Sequence, residues 1–357
     1  MAAEADRLIA AVAAIDEAAL DPLSRRRRRY LQAHLEAARA RIDYIRGVRL
    51  PFGDEARAFF GVELELRPLS SYEAVLAKIE ELVPGDGPLG ERVTAFRDRY
   101  AVPTERIDEV VSAAIAECRR RTLRHIELPA GEAFTAELVT GKPWQGYNWY
   151  KGDAHSVIQV NTDGPFPISR AVPLGCHEGY PGHHTHNVLM EERLVEGRGL
   201  VELSVLPLYS PLAIIAEGSS NYGIDLAFPG EERLAFEAEV LYPLAGLDPA
   251  TAPALRELDR AFEDLSGLEV TIAADYIDGR IDRERALALL QSHALASPPR
   301  AAQRITFIEA YRSYAVNYWI GEELVRAHVE GAAADPDGRW RALEAILAQP
   351  TVPADLQ

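Results

Sequence analysis

Cysteine is scarce in this chain: Cys118 and Cys176 are the only two in 357 residues. That excludes a disulfide-stapled small scaffold and predicts a reducing compartment with no disulfide framework. Basic charge is also in deficit. The 38 Lys and Arg face 55 Asp and Glu, a formal net charge of −17. Such a field repels nucleic acid and anionic membrane, so neither is expected as a partner. It is compatible with a small or peptide-like substrate held in a local pocket. No stretch approaches the roughly 18 uninterrupted apolar residues of a transmembrane helix. The first residues, MAAEADRLIAAVAAIDEAAL, lack a basic leader, and Glu4, Asp6, Arg7 and Asp16 interrupt their apolar run. No signal peptide is expected, and the default location is cytoplasmic. Internal repeats and low-complexity tracts are missing too, which excludes a solenoid.

What is present is an ordinary globular composition, 48% hydrophobic and 26% charged. The first 125 residues read as helices. Leu8, Ile9, Val12, Ile15 and Leu20 form one stripe. Ser24 is placed to cap a helix running to about Ile45, whose Arg25–Arg29 run reads as a solvated start to an amphipathic face. Pro103 and Thr104 open another helix carrying Ile107, Val110, Val111, Ala114 and Ile115. Between residues 130 and 165 the pattern changes to short strands, Phe134–Val139, Trp144–Tyr150 and Ser156–Val160, punctuated by Gly141, Gly152 and Asp153. Helices then return, including 169–180, 183–196, 211–228 and one long helix over 299–330. The expected fold is mainly α, with a small antiparallel sheet before the most unusual segment. Residues 1–129 are expected as an N-terminal helical lobe and 130–357 as a sheet-plus-helix lobe, the two forming either separate lobes or one continuous domain.

That segment, residues 175–186, reads Gly-Cys-His-Glu-Gly-Tyr-Pro-Gly-His-His-Thr-His, with four of the nine histidines in ten positions. His177-Glu178 opens like the zinc motif HExxH, in which two His at i and i+4 share a helix face and the Glu activates water. Here i+4 is Pro181, and the next histidines are His183 and His184. At ~100° per residue, i+6 lies roughly 120° off the face and i+7 roughly 20° off it. An ideal helix would pair His184 with His177. Pro181 forbids an ideal helix, and Gly182 adds freedom. A break at Tyr180–Gly182 that loops out two residues would bring His183 back instead. Geometry alone leaves both open. A third ligand is needed, and Glu217 sits in an apolar run where a carboxylate is costly without a partner. Cys176 reads as a small buried residue.

These residues resemble a known family. His177-Glu-Gly-Tyr-Pro-Gly-His-His184 is similar to the HExxPGHH signature of the bacterial domain-of-unknown-function 885 family. Glu217-Gly-Ser-Ser-Asn-Tyr222 resembles its EGWALY motif at Glu, Gly and Tyr, with polar residues in place of Trp-Ala-Leu. Arg312-Ser-Tyr-Ala-Val-Asn-Tyr-Trp-Ile-Gly321 resembles PGQAxxYxxG at Ala315, Tyr318 and Gly321. The resemblance spans about 144–330, and family members are longer, so it implies a shortened and divergent member. It implies a helical gluzincin fold like those of angiotensin-converting-enzyme-like proteins and thermostable carboxypeptidases. It favours His183 over His184 as ligand.

The resulting expectation is a zinc-dependent hydrolase of peptide or related amide bonds. His177, His183 and Glu217 hold one zinc ion, iron or manganese being compatible with the same donors. Glu178 takes the proton of the activated water and Tyr318 donates to the oxyanion. Tyr222 and Arg312 are candidate substrate contacts, although an ion pair of Arg312 with Glu309 is the plainer reading. The strand at Ser156–Val160 is a candidate edge for an extended substrate. Two alternatives keep less of this chemistry: a non-haem-iron enzyme acting on a small non-peptide substrate, and a binding protein with a degenerate metal site.

Overall fold

The computed structural model describes residues 1–142 and 144–357. It is mainly helical with one three-stranded sheet. The elements that build the site are α1 (Pro22–Ile45), α2 (Phe52–Phe60), α3 (Ile107–Thr122), β1 (Ala133–Val139), β2 (Gly146–Gly152), β3 (His155–Asn161), α4 (His183–Leu189), α5 (Pro211–Ala227), α6 (Pro298–Tyr311) and α7 (Val316–Ala332). Among the described residues, no helix is long and apolar enough to cross a membrane.

Local chemistry accounts for most of the boundaries. Asp21, not Ser24, caps α1: its Oδ1 accepts the N–H groups of Leu23 and Ser24 at 3.0 and 3.1 Å, with Pro22 at the first helical position. Arg27, Arg28 and Arg29 pair with Glu202, Glu17 and Asp355. The expected long helix over 299–330 is two helices. Arg312, at φ +50, and a 3₁₀ turn, Arg312–Ala315, separate α6 from α7. That interruption re-aims Tyr314 and Tyr318.

The sheet is mixed rather than antiparallel. Its order is β1-β3-β2, with β1 parallel to β3 and β2 antiparallel to it. The tight β2–β3 connection places Asp153 and Ala154 at positive φ, the sign a close hairpin requires. β1 then pairs across β3, so β3 is the central strand and has no free edge. The expected edge pairing of Ser156–Val160 with substrate is therefore not possible, and β2 is the edge nearest the site. Along β3, Ser156, Ile158 and Val160 are buried while their neighbours are not, the period-two pattern of a strand with one covered face.

The main core gathers side chains from Phe52 through Leu356, including Val110, Ile115, Ile158, Val172 and Ile214. Residues on either side of position 129 share it. A smaller cluster of Tyr30, Met190, Leu194, Leu212 and Val352 seats α1. Cys118 of α3 and Cys176 are joined in a disulfide, their Cα atoms 5.4 Å apart. One bridge therefore stands where no disulfide framework is expected, and the cysteine argument for a reducing compartment falls with it. The bond was not legible because the partners lie 58 residues apart and meet only when α3 packs on the turn before His177.

Helices α5 and α7 pack backbone to backbone at Gly218 and Gly321. A Cβ on Gly218 would stand 2.2 Å from the Gly321 carbonyl oxygen. Only glycine at both positions allows this contact, which brings Glu217 and Tyr318 to one face of the interior.

Candidate metal site

Ala171–Leu174 is one helical turn, continued by a wide π-type turn over Gly175–Gly179. The Gly175 carbonyl accepts Tyr180 N at 3.3 Å, and the Cys176 carbonyl accepts Gly182 N at 3.0 Å. The chain then turns sharply through the cis Tyr180–Pro181 bond, and α4 restarts at His183. Gly182 is required there, since a Cβ would lie 1.9 Å from the His177 carbonyl oxygen. The break brings His183, not His184, beside His177, with ring centroids 4.7 Å apart and nearly perpendicular.

Glu217 of α5 completes the cluster. Its Oε2 lies 3.2 Å from His177 Nε2 and 3.7 Å from His183 Nε2. One ligand atom from each of the three residues lies within 4.8 Å of the others. Tyr314 donates its hydroxyl to Glu217 Oε1 at 2.9 Å. Glu217 Oε2 is buried with no hydrogen-bond partner. A buried carboxylate oxygen without a donor is expensive. This one is aimed between two imidazole nitrogens, so the donor set fits a divalent ion.

The far side of each ring is also fixed. Asn221 Oδ1 meets His177 Nδ1 at 2.8 Å, and Ser220 Oγ meets His183 Nδ1 at 3.2 Å. Asn221 Nδ2 donates to the Tyr318 carbonyl at 2.9 Å, which orients the amide so that its oxygen faces the imidazole. His177 therefore carries hydrogen on Nδ1 and presents Nε2 to the cluster, the second-sphere arrangement of ligating histidines. The polar Ser219-Ser220-Asn221 replacement in α5 thus supplies the supports of both rings. Their spacing was the available signal: Glu217, Ser220 and Asn221 stand at i, i+3 and i+4.

Electrostatics within the cluster are strong. Burial alone would push Glu217 up, but the neighbouring His177 and His183 hold it well below the usual carboxylate range. Burial pulls His177 down, yet Glu217 and Glu178 raise it to about 9. The cluster favours positive charge at its centre, and a proton on His177 meets that demand when no ion does. Glu178 is buried and pushed up by desolvation, opposed by His177 and His183. Desolvation raises Tyr318 well above its usual value, and Glu217 and Glu178 add to the shift.

His177, Glu178 and Asn221 line two cavities that meet at the cluster. One, of about 1160 Å³, is walled by Tyr147 and Trp149 of β2 and by Tyr311, Tyr314 and Tyr318. Tyr318 is 40% exposed into it and stacks edge-on against Tyr314, so it is not a core aromatic. Tyr147 and Tyr314 were missed in the sequence; the i, i+4 relation of Tyr314 to Tyr318 was the one hint.

Other expected contacts lie elsewhere. Tyr222 is buried away from both cavities, under the Arg326 guanidinium at 5.1 Å. Arg312 does not reach the cluster and does not pair with Glu309. It bonds Glu55 of α2 at 2.8 Å and the Leu50 carbonyl at 3.2 Å, while Glu309 pairs with Arg283. Both lie away from the cluster: Tyr222 packs under a cation, and the charge of Arg312 is met by Glu55. His184 is buried between Ser156 Oγ at 2.7 Å and Glu132 Oε2 at 3.1 Å. Arg119 closes that network. Ser156 passes it on through Asn148, which donates to the Glu178 carbonyl at 2.6 Å. His184 and its partners therefore brace the turn that carries Glu178. His186 is buried beside His183 and lowered to about 3 by desolvation and then by that neighbour.

No protein-family model matches the chain, and no curated protein matches it. Solved structures do. The chain is similar to a protein from Colwellia psychrerythraea named "putative lipoprotein", with a TM-score of 0.61 and 18% identity, covering 85% of this chain and 53% of that one. It is also similar to a "putative lipoprotein of unknown function" from Shewanella oneidensis, with a TM-score of 0.53 and 12% identity, covering 96% and 70%. At these identities the likeness is one of fold. The chain spans about half the length of the first of these proteins.

Proposed function

We propose that this protein is a metal-dependent hydrolase of peptide or related amide bonds. The observation that carries the reading is Glu217 Oε2: buried, without a hydrogen-bond donor, and facing two imidazole Nε2 atoms whose Nδ1 atoms are already engaged. The motif resemblance supports it from the sequence side.

His177, His183 and Glu217 would hold one divalent ion, and the donor set suits zinc, with iron and manganese sharing the same ligand types. When bound, the ion supplies Lewis acidity and makes water a better proton donor near neutral pH. The chain's own residues supply the rest. Glu178 is the proton acceptor, and its raised affinity for a proton keeps it able to hand that proton on to the leaving nitrogen. The Tyr318 hydroxyl, kept protonated by its surroundings, donates to the carbonyl oxygen as charge builds there. Asn221 and Ser220 hold the imidazoles in register. The edge strand β2 offers main-chain groups to an extended substrate, and the aromatic cavity takes an apolar flank.

The test is elemental analysis of untagged protein beside Glu217→Ala, with hydrolysis of a fluorogenic peptide pool measured on the same samples. About one divalent ion per chain, lost in Glu217→Ala, is expected. Glu178→Gln should keep the ion and lose about a hundredfold or more in rate. Bound iron with oxygen consumption would replace this reading by oxidative chemistry on a small substrate. No metal after incubation with zinc would overturn it and leave a binding protein.

A further inference from the structure

The second cavity at the cluster encloses about 950 Å³ and runs from His177, Glu178 and Asn221 to the start of α6. Three of its arginines are neutralised within the protein, and Asp98, Asp163 and Glu178 also line it. Arg97 pairs with Asp259 at 3.0 Å, Arg233 with Glu237 at 2.8 Å, and Arg304 with Glu269 at 2.8 Å. Arg170 and Arg300 differ. Both line the cavity and are partly buried, and among the described residues neither has a carboxylate at ion-pair distance. The Arg170 guanidinium lies over the ring of Phe166, 4.9 Å from its centroid. Burial and the charge of Arg300 lower Arg170 to about 10. Burial, with Arg304 and Arg97, lowers Arg300, against a weaker pull from Asp98.

Two mutually repelling guanidiniums in a recess are costly without a counter-charge, and here they occur in a chain of net charge −17. The same place receives the amino end of α6. Ser297 caps that helix without a side-chain bond, and Pro298 and Pro299 bring no N–H of their own. The dipole of the helix adds to the positive potential at Arg300.

We infer that this cavity is an anion-binding subsite in which Arg170 and Arg300, at the amino end of α6, hold a carboxylate of the substrate. The planar forks of two arginines suit a carboxylate, which can take two parallel N–H bonds from each. The inference rests on the hydrolase reading and names its substrate class: an amide with a carboxylate on one flank and an apolar group on the other, toward Tyr147 and Trp149.

The experiment is calorimetric titration of succinate, dimethyl succinate and inorganic phosphate into wild type, Arg170→Gln and Arg300→Gln, all stripped of metal and then dialysed free of chelator so that binding does not depend on metal. Melting curves of each variant verify its fold. Succinate should bind wild type and weaken about tenfold or more in each variant, the range for a lost charged hydrogen bond. Dimethyl succinate should give no heat. Absent succinate binding, or binding equal in folded variants, overturns the subsite. Phosphate binding more tightly than succinate overturns the carboxylate assignment. The hydrolase reading is scored separately, by metal content. On metal-loaded protein, Arg300→Gln should raise KM for peptides with a free terminal carboxylate by more than it does for their amidated forms.

Discussion

Replacing Arg312 by Met should destabilise the fold without touching the site. Glu55 is 1% exposed, and its Oε2 has the Arg312 Nε at 2.8 Å. Its other oxygen accepts the Ser313 hydroxyl at 2.7 Å and the Ser313 N–H at 3.3 Å. Arg312→Met leaves those two bonds and removes the counter-charge. Breaking a buried pair from one side costs about 3–5 kcal/mol, because the remaining charge stays buried. At about 2.1 cal/mol/K per residue, a chain of this length has an unfolding entropy near 0.75 kcal/mol/K, so Tm should fall by about 4–7 °C. Glu55→Leu combined with Arg312→Met should recover most of the loss, since two apolar groups leave nothing unpaired. Urea unfolding of the three variants measures this. A loss under about 1 kcal/mol in the single variant, or a double variant no better than the single, would refute the reasoning. A raised KM with unchanged stability would return Arg312 to a substrate role.

Gly182→Ala should weaken metal binding on the order of ten- to a hundredfold, as expected when a ligand's support is disturbed, because its Cβ would meet the His177 carbonyl oxygen at 1.9 Å; competition with a metal-sensitive dye reads this, and unchanged affinity would remove the turn from the account. Reducing Cys118–Cys176 should lower stability by about 4 kcal/mol, from the loop entropy of its 58-residue separation. Unfolding with and without reductant measures it, and two titratable thiols in the native oxidised protein would contradict the bond. His34 is lowered to about 4 by burial, opposed by its bond to the Tyr30 carbonyl. The unfolded chain therefore takes up a proton near pH 6.5 that the folded chain refuses until about 4. Stability from this residue should be intact above pH 6.5 and fall by about 3 kcal/mol as pH drops to 4. His34→Gln should flatten that part of the pH profile, and an unchanged profile would show that the ring is not desolvated.

Much of the molecule was legible because its causes are local. The helical stripes at Ile107–Ile115, the strands between 130 and 165, and the break at Pro181-Gly182 follow from periodicity and backbone chemistry within a few residues. His177, His183 and Glu217 stood out by residue type and by a carboxylate in an apolar run. The tight turn that Gly182 permits then brought His183 beside His177, as looping out two residues requires. Pairings between distant segments were decided by the tertiary structure. β1 joins β3 rather than β2. Cys118 meets Cys176 across 58 residues, and Arg312 meets Glu55 from 257 residues away. Asn221 and Ser220 looked like polar intrusions in an apolar motif until α5 packed against the turn bearing His177 and against α4. A short-range pattern records which face a residue offers. What that face meets depends on contacts closed only by folding, and one sequence carries no separate trace of them.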